Sequence, residues 1–166
     1  MKRLILVRHA KSSWSESSLP DKDRPLNDRG HEAAPKIGRW LASKGYQPDE
    51  VISSGALRCR ETWAGILGQL NPVSNVRFED YLYLATDAEM LDTLRTATGE
   101  TVLMIGHMPG IGDLARGLRQ DPPPAHSLFA KYPTGAATVL DFQIDDWADA
   151  QFGSARFEAY VAPADL

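Results

Sequence analysis

The chain has a single cysteine, Cys59, among 166 residues, so no disulfide can form within it and a stapled secreted scaffold is excluded. It also lacks any surplus of positive charge. Eighteen Lys and Arg face 22 Asp and Glu, for a formal net charge of −4, and no basic field exists to draw in a nucleic acid or an anionic membrane surface. No apolar run approaches the roughly 18 residues that cross a bilayer. The stretch Lys2 to Val7 is too short for the apolar part of a signal peptide and has no cleavage site. The four histidines show no paired metal spacing and there is one thiol, so a zinc site is disfavoured. Repeats and low-complexity tracts are absent as well. The expectation is an unprocessed cytoplasmic protein of one domain, residues 1–166, with no nucleic-acid or membrane partner; nothing bears on its oligomeric state.

Hydrophobic residues at 43% and charged residues at 24% are ordinary for a chain that builds one core. Leu4-Ile5-Leu6-Val7 is a continuous aliphatic run, the pattern of a strand buried on both faces of a parallel sheet. From Asn27, the residues Ala33, Ile37, Trp40 and Leu41 recur at helical spacing up to a stop at Gly45, with Pro35 predicting a late start or a bend. Glu50 to Ser53 reads as a second strand, followed by a turn and a helix from Ala56 through Leu70. Asp87 reads as the cap of a further helix. Thr101 to Ile105 is another apolar strand, and Gly106-His107-Met108-Pro109-Gly110 turns into a helix with Pro109 in its first turn. After the rigid connector Asp121 to Pro124, strands are expected at Ala137 to Phe142 and Phe157 to Val161. Strands alternating with helices predict an α/β fold of three layers, with a mostly parallel central sheet flanked by helices.

Ligands of open α/β sheets bind beyond the carboxyl ends of the strands. Three such ends carry distinctive side chains here: Arg8-His9 after the first strand, Arg58 beyond Ser53-Ser54, and His107 after Gly106. If those strands are neighbours, two arginines and two histidines share one small volume. Guanidinium forks match phosphate oxygens, and a neutral imidazole among them can attack phosphorus to give a phosphohistidine. Arg8, Arg58 and a protonated His107 would then hold the oxygens whose charge shifts in the transition state. His9 must keep a lone pair, which neighbouring guanidinium groups favour by lowering its pKa and a backbone carbonyl favours by fixing the tautomer. His31 and His126 read as ordinary surface or core histidines, Arg58 taken alone as a solvated helix residue with Arg60, two positions on, pointing elsewhere, and Cys59 as a packing residue.

Arg8-His9-Ala10, Ser54-Gly55-Ala56-Leu57-Arg58 with Thr62, and Gly106-His107 together resemble the histidine phosphatase superfamily, which includes the phosphoglycerate mutases. The runs Arg8 to Trp14, Arg24 to Gly30, Leu82-Tyr83, Gly106 to Gly110 and Tyr132 to Ala136 are similar to its small phosphohistidine phosphatase branch, so the resemblance covers nearly the whole chain. It implies a phosphoglycerate mutase-like fold, His9 as the phosphorylated nucleophile, Arg8 and Arg58 as phosphate ligands, His107 as the second pocket histidine, and no metal or cofactor. Met108 departs from the asparagine common in that branch, and Ala10 from the superfamily's usual glycine.

Larger members of the superfamily protonate an alkoxide leaving group with a carboxylic acid; the candidates here are Glu79 and Asp80. Lys11, Ser12, Trp14, Met108 and Thr134 are assigned to the substrate rim. Protein phosphohistidine is the favoured substrate, presented by a phosphorylated protein domain. The alternatives are a phosphatase or mutase for a small phosphorylated metabolite, and a non-catalytic phosphate-binding module.

Overall fold

A computed structural model describes all residues, 1–166. In chain order the elements are β1 (Lys2–Arg8), α1 (Asp28–Lys44), β2 (Glu50–Ser54), α2 (Leu57–Leu67), β3 (Asn75–Glu79), α3 (Asp87–Leu94), β4 (Thr101–Gly106), α4 (Gly110–Leu118), β5 (Ala137–Phe142) and β6 (Arg156–Val161). They form one six-stranded sheet of order β3-β2-β4-β1-β5-β6. The β3-β2-β4-β1 portion is parallel; β5 runs antiparallel to β1, and β6 antiparallel to β5.

The alternation of side chains along each strand makes this a three-layer molecule. Leu4, Leu6, Ile52, Val102 and Met104 point to one face, where they pack with Met90 and Leu91 of α3 and Ile111 and Leu114 of α4. Ile5, Val7, Val51, Leu103 and Ile105 point to the other, against Ile37 and Leu41 of α1 and Cys59, Trp63 and Ile66 of α2. Helices cover both faces, so β1 and β4 read as near-continuous aliphatic runs and even the Glu and Ser residues of β2 are buried.

Local sequence explains the helix limits. The Asn27 side chain accepts from the Gly30 N–H to open α1, and the helix continues past Pro35 to Gly45, so the late start anticipated from that proline does not occur. Thr86, not Asp87, caps α3, exchanging hydrogen bonds with Glu89 in a capping box. Pro109 stands at the cap position of α4 rather than in its first turn, and α2 ends at Leu67, short of Leu70. The edge strand β3 is half-exposed, and its mixed composition conceals it from a search for aliphatic runs.

The segment Tyr132 to Gly135 closes over the end of β1. Gly135 donates its N–H toward the carbonyls of Arg8 (3.1 Å) and His9 (3.0 Å) with φ at +79°. A Cβ there would come within 2.7 Å of the Pro163 ring. Gly135→Ala is therefore expected to lose about 1–3 kcal/mol from left-handed backbone strain and overpacking. Urea denaturation checks this, and an unchanged midpoint would contradict it.

Candidate active site

Sheet register builds the site. Arg8, the last residue of β1, pairs with Gly106, the last of β4, and the His9 N–H then reaches the Gly106 carbonyl at 3.1 Å. His9 and His107 leave adjacent strand tips with ring centroids 5.2 Å apart. His9 Nδ1 lies 2.7 Å from the Ala10 carbonyl, which can only accept, so Nδ1 carries the proton and Nε2 keeps its lone pair. The Ala10 N–H donates to Thr62 Oγ1 (2.9 Å), whose hydroxyl donates to the Arg58 carbonyl (2.7 Å). The His9-Ala10 segment and the first two turns of α2 are thus one hydrogen-bonded unit.

His9 is 7% exposed and its pKa is lowered to about 3. Burial is the leading cause; the Ala10 hydrogen bond opposes it, and the charges of His107, Arg58 and Arg8 add smaller contributions. Burial rather than the guanidinium groups therefore chiefly keeps the ring neutral. His107 is lowered to about 4, again mainly by burial and then by Arg58. Its Nε2 lies 2.8 Å from Ser54 Oγ and 3.5 Å from Cys59 Sγ, and the edge of Tyr83 packs against it at 5.4 Å. Burial pushes the Cys59 thiol up to about 12, so it stays protonated and serves as packing.

Arg58, 5% exposed, is gripped by Asp21: NH1 donates to its carbonyl at 2.7 Å and NH2 to Oδ2 at 3.0 Å. Asp21 also accepts from Arg24 Nε at 2.9 Å and from the Tyr83 hydroxyl. The Tyr83 hydrogen bond is the largest influence holding the Asp21 carboxyl well below the usual carboxylate range, with Arg24 and Arg58 adding to it. Arg24 continues the network through Ser12 Oγ (2.8 Å) and the Ser13 carbonyl (2.9 Å), and its guanidinium lies 3.4 Å from the centre of the Trp14 ring. Arg8 NH1 donates to the carbonyl of Tyr132 at 2.9 Å. Five buried side-chain nitrogens have no hydrogen-bond partner, and three of them are Arg8 Nε, Arg58 Nε and His107 Nδ1. Unused donor capacity therefore concentrates around one pocket, where an oxyanion can take it up with small side-chain adjustments.

That pocket is a cavity of about 360 Å³. The structure brings together Arg8, His9, Arg58 and His107, with Lys11, Ser12, Trp14, Met108 and Thr134 around them. Leu84 and Arg24 also line it. Sequence reasoning gave those two no role, and it missed Asp21 and Tyr83. The advance signals were Arg24 within the Arg24 to Gly30 run and Tyr83 within the Leu82-Tyr83 pair; Asp21 had none. Glu79 and Asp80 do not line the cavity, which corrects their expected position. Glu79 ends β3, the edge strand beyond β2, and faces Arg77 at 3.7 Å; Asp80 follows it. Arg60 turns away to the Gly55 carbonyl (2.9 Å), and His126 pairs with Asp165 (2.8 Å). His31 is exposed on α1.

Two outcomes follow from this geometry. Asp21→Asn keeps the shape but removes the charge that fixes Arg58, and is expected to lower kcat/KM on p-nitrophenyl phosphate about tenfold with an unchanged circular dichroism spectrum; a loss below twofold would show that Arg58 holds its place unaided. The buried histidines also tie stability to pH. Their folded pKa values of about 3 and about 4 lie below the ordinary 6.5, so the unfolded chain binds more protons as pH falls through 6.5. Their contribution is complete above 6.5 and is lost progressively toward the folded values. The slope of Tm against pH from about 4 to 6.5 should be shallower in His9→Asn/His107→Asn than in the parent; identical slopes would count against neutral buried imidazoles.

Comparison with known proteins gives a consistent picture. Residues 4–82 match the family model described as histidine phosphatase superfamily (branch 1). An uncharacterized chloroplastic protein of Arabidopsis thaliana is 32% identical over 177 residues, covering 98% of this chain and 78% of its own. A solved structure of a candidate phosphohistidine phosphatase SixA from Nakamurella multipartitia is 30% identical with a TM-score of 0.79, covering 98% of this chain and 96% of that one. A protein histidine phosphatase SixA complexed with tungstate shares the fold at 22% identity and a TM-score of 0.79, over 98% of each chain.

Proposed function

The chain belongs to the histidine phosphatase superfamily, and from that premise we propose that it hydrolyses protein phosphohistidine through a covalent intermediate on His9. The observation that carries the reading is the make-up of the cavity wall: imidazoles and guanidinium groups, with no carboxyl group among the lining residues. Asp21, the carboxylate bonded to Arg58, is held as an anion by Tyr83, Arg24 and Arg58 and cannot donate a proton at neutral pH. An alkoxide leaving group needs a positioned acid. An imidazole leaving group does not, because its nitrogen takes up a proton readily near pH 7.

In the first step the Nε2 lone pair of His9 attacks phosphorus, the P–N bond of the substrate breaks, and its electron pair and a solvent proton go to the departing imidazole. Arg8 and Arg58 meet the phosphoryl oxygens, and the added negative charge raises the His107 pKa so that it binds as a cation. The Ala10 carbonyl, already bonded to Nδ1, stabilises the imidazolium as phosphorus bonds to Nε2. In the second step water attacks phosphorus from the open side of the pocket, the bond to His9 breaks, and inorganic phosphate leaves. The SixA structures favour the phosphohistidine substrate by their names. A cytoplasmic working location suits the one buried free thiol.

His9→Ala is expected to lose at least about a thousandfold in activity on p-nitrophenyl phosphate and on a phosphohistidine protein. The parent quenched without acid should carry one labelled phosphate on His9; retention of full activity by the alanine variant would overturn the reading. Tungstate or vanadate should inhibit competitively. Stoichiometric release of inorganic phosphate is expected, whereas transfer back to an acceptor would point to a mutase acting on a small metabolite.

A further inference from the structure

A second depression of about 420 Å³ adjoins the active-site cavity and shares Lys11 and Thr134 with it. Its far wall is α1, which contributes Arg29, Glu32, Ala33 and Lys36, and Pro163 lies along it. Positions 29, 32, 33 and 36 are three and four residues apart, so they occupy one face of the helix. Beyond Lys36, a shallower depression continues the same track past Arg39 and Trp40. Gly30 makes the junction close: a Cβ at this position would collide with the Lys11 carbonyl, so only glycine lets α1 pack directly on the nucleophile loop.

The charge on this track is unbalanced. Lys11, Arg29, Lys36 and Arg39 are all exposed, and none makes an ion pair within 4.0 Å or a side-chain hydrogen bond. Glu32 is the one carboxylate in the groove, and it pairs with neither Arg29 nor Lys36. Even counting Glu32 and the terminal carboxylate of Leu166 beside Lys36 and Arg39, four cations leave this strip net positive in a chain of net charge −4. Behind the active-site cavity, by contrast, the Asp21 carboxylate pairs with both Arg24 and Arg58.

We propose that this groove binds an acidic segment flanking the phosphorylated histidine of a protein substrate, so that α1 reads the sequence beside the phosphoryl group. The proposal rests on the phosphohistidine reading above and adds the recognition of the flanking chain. Spacing selects a peptide over a small metabolite. Arg29 and Lys36 are separated by about 10 Å along the helix axis at 1.5 Å per residue, a span that about three extended residues cover. A second phosphate on a compact metabolite reaches one of these cations, whereas two or three carboxylates on an extended segment reach them in turn. Lys11, facing both cavities, marks where the segment leaves the reacting group.

The experiment compares two phosphohistidine peptides that differ only in the residues beside the histidine, three Glu in one and three Gln in the other, on the parent and on Arg29→Glu/Lys36→Glu. Exposed ion pairs of this kind are individually weak, so the parent is expected to prefer the Glu peptide about fivefold in kcat/KM. The preference should vanish or invert in the double variant and fade toward about 1 M salt, where charges are screened over roughly 3 Å. Activity on p-nitrophenyl phosphate should stay unchanged, which also certifies the fold; Arg29→Gln/Lys36→Gln supplies the same readout if the reversal variant is unstable. Fluorescence anisotropy of the labelled peptides on the parent reads groove binding apart from turnover. Failure to turn over either peptide, with tighter binding of the Glu peptide retained, would remove the phosphohistidine reading and leave the groove standing. Equal affinity for the two peptides, a preference that survives charge reversal, or a loss confined to a bisphosphorylated sugar would overturn the groove assignment.

Discussion

Parallel pairing of β1 with β4 sets Arg8 opposite Gly106 and carries the ladder one step further, to the His9 N–H and the Gly106 carbonyl. Everything chemical in the molecule hangs on that register. Side chains in a strand alternate faces, so a slip of one residue would turn the aliphatic sets of β1 inside out. Their burial, Leu4 and Leu6 on one side and Ile5 and Val7 on the other, therefore fixes where the strand ends. The hydrophobic core thereby sets the position of His9. From there the Ala10–Thr62–Arg58 relay converts a sheet register into a helix position, so His9 and Arg58 are placed by the same constraint.

The pocket is also defined by what burial does to its charges. Two imidazoles remain neutral because the sheet ends and the helices above them exclude water, and one of them thereby retains the lone pair needed for attack. The guanidinium groups remain charged and are oriented by backbone carbonyls and by Asp21. A phosphoryl group arriving here meets donors already in place, which is how preorganised electrostatics lowers a barrier without reorganisation during the reaction.

Much of this was legible from residue order. The buried strands announce themselves as aliphatic runs, and the rule that ligands gather at their carboxyl ends leads to Arg8, His9, Arg58 and His107 before any coordinates. The rim residues Lys11 to Trp14 follow from adjacency to His9. Asp21 was not legible, because it opens a single 3₁₀ turn, Asp21–Asp23, placed by tertiary contacts with α2 and Tyr83 rather than by any periodic pattern. Glu79 and Asp80 misled for the opposite reason. They stand close to the motifs in sequence, but β3 takes the outer edge of the sheet, and edge position is a property of strand order that local sequence does not encode. The antiparallel direction of β5 and β6 is likewise set by the connections between strands and not by their composition.

The Asp21 grip on Arg58 and Arg24 also bears on how each catalytic cycle finishes. A pocket lined by bare cations would hold inorganic phosphate tightly, and dissociation of product would then limit turnover. Here an internal carboxylate already shares two of the guanidinium groups, so the departing anion breaks weaker contacts, and the cations fall back on a counter-ion that never left. The enzyme carries its own leaving-anion substitute, and affinity for the product is tempered by the same side chain that aligns the arginine for the reaction.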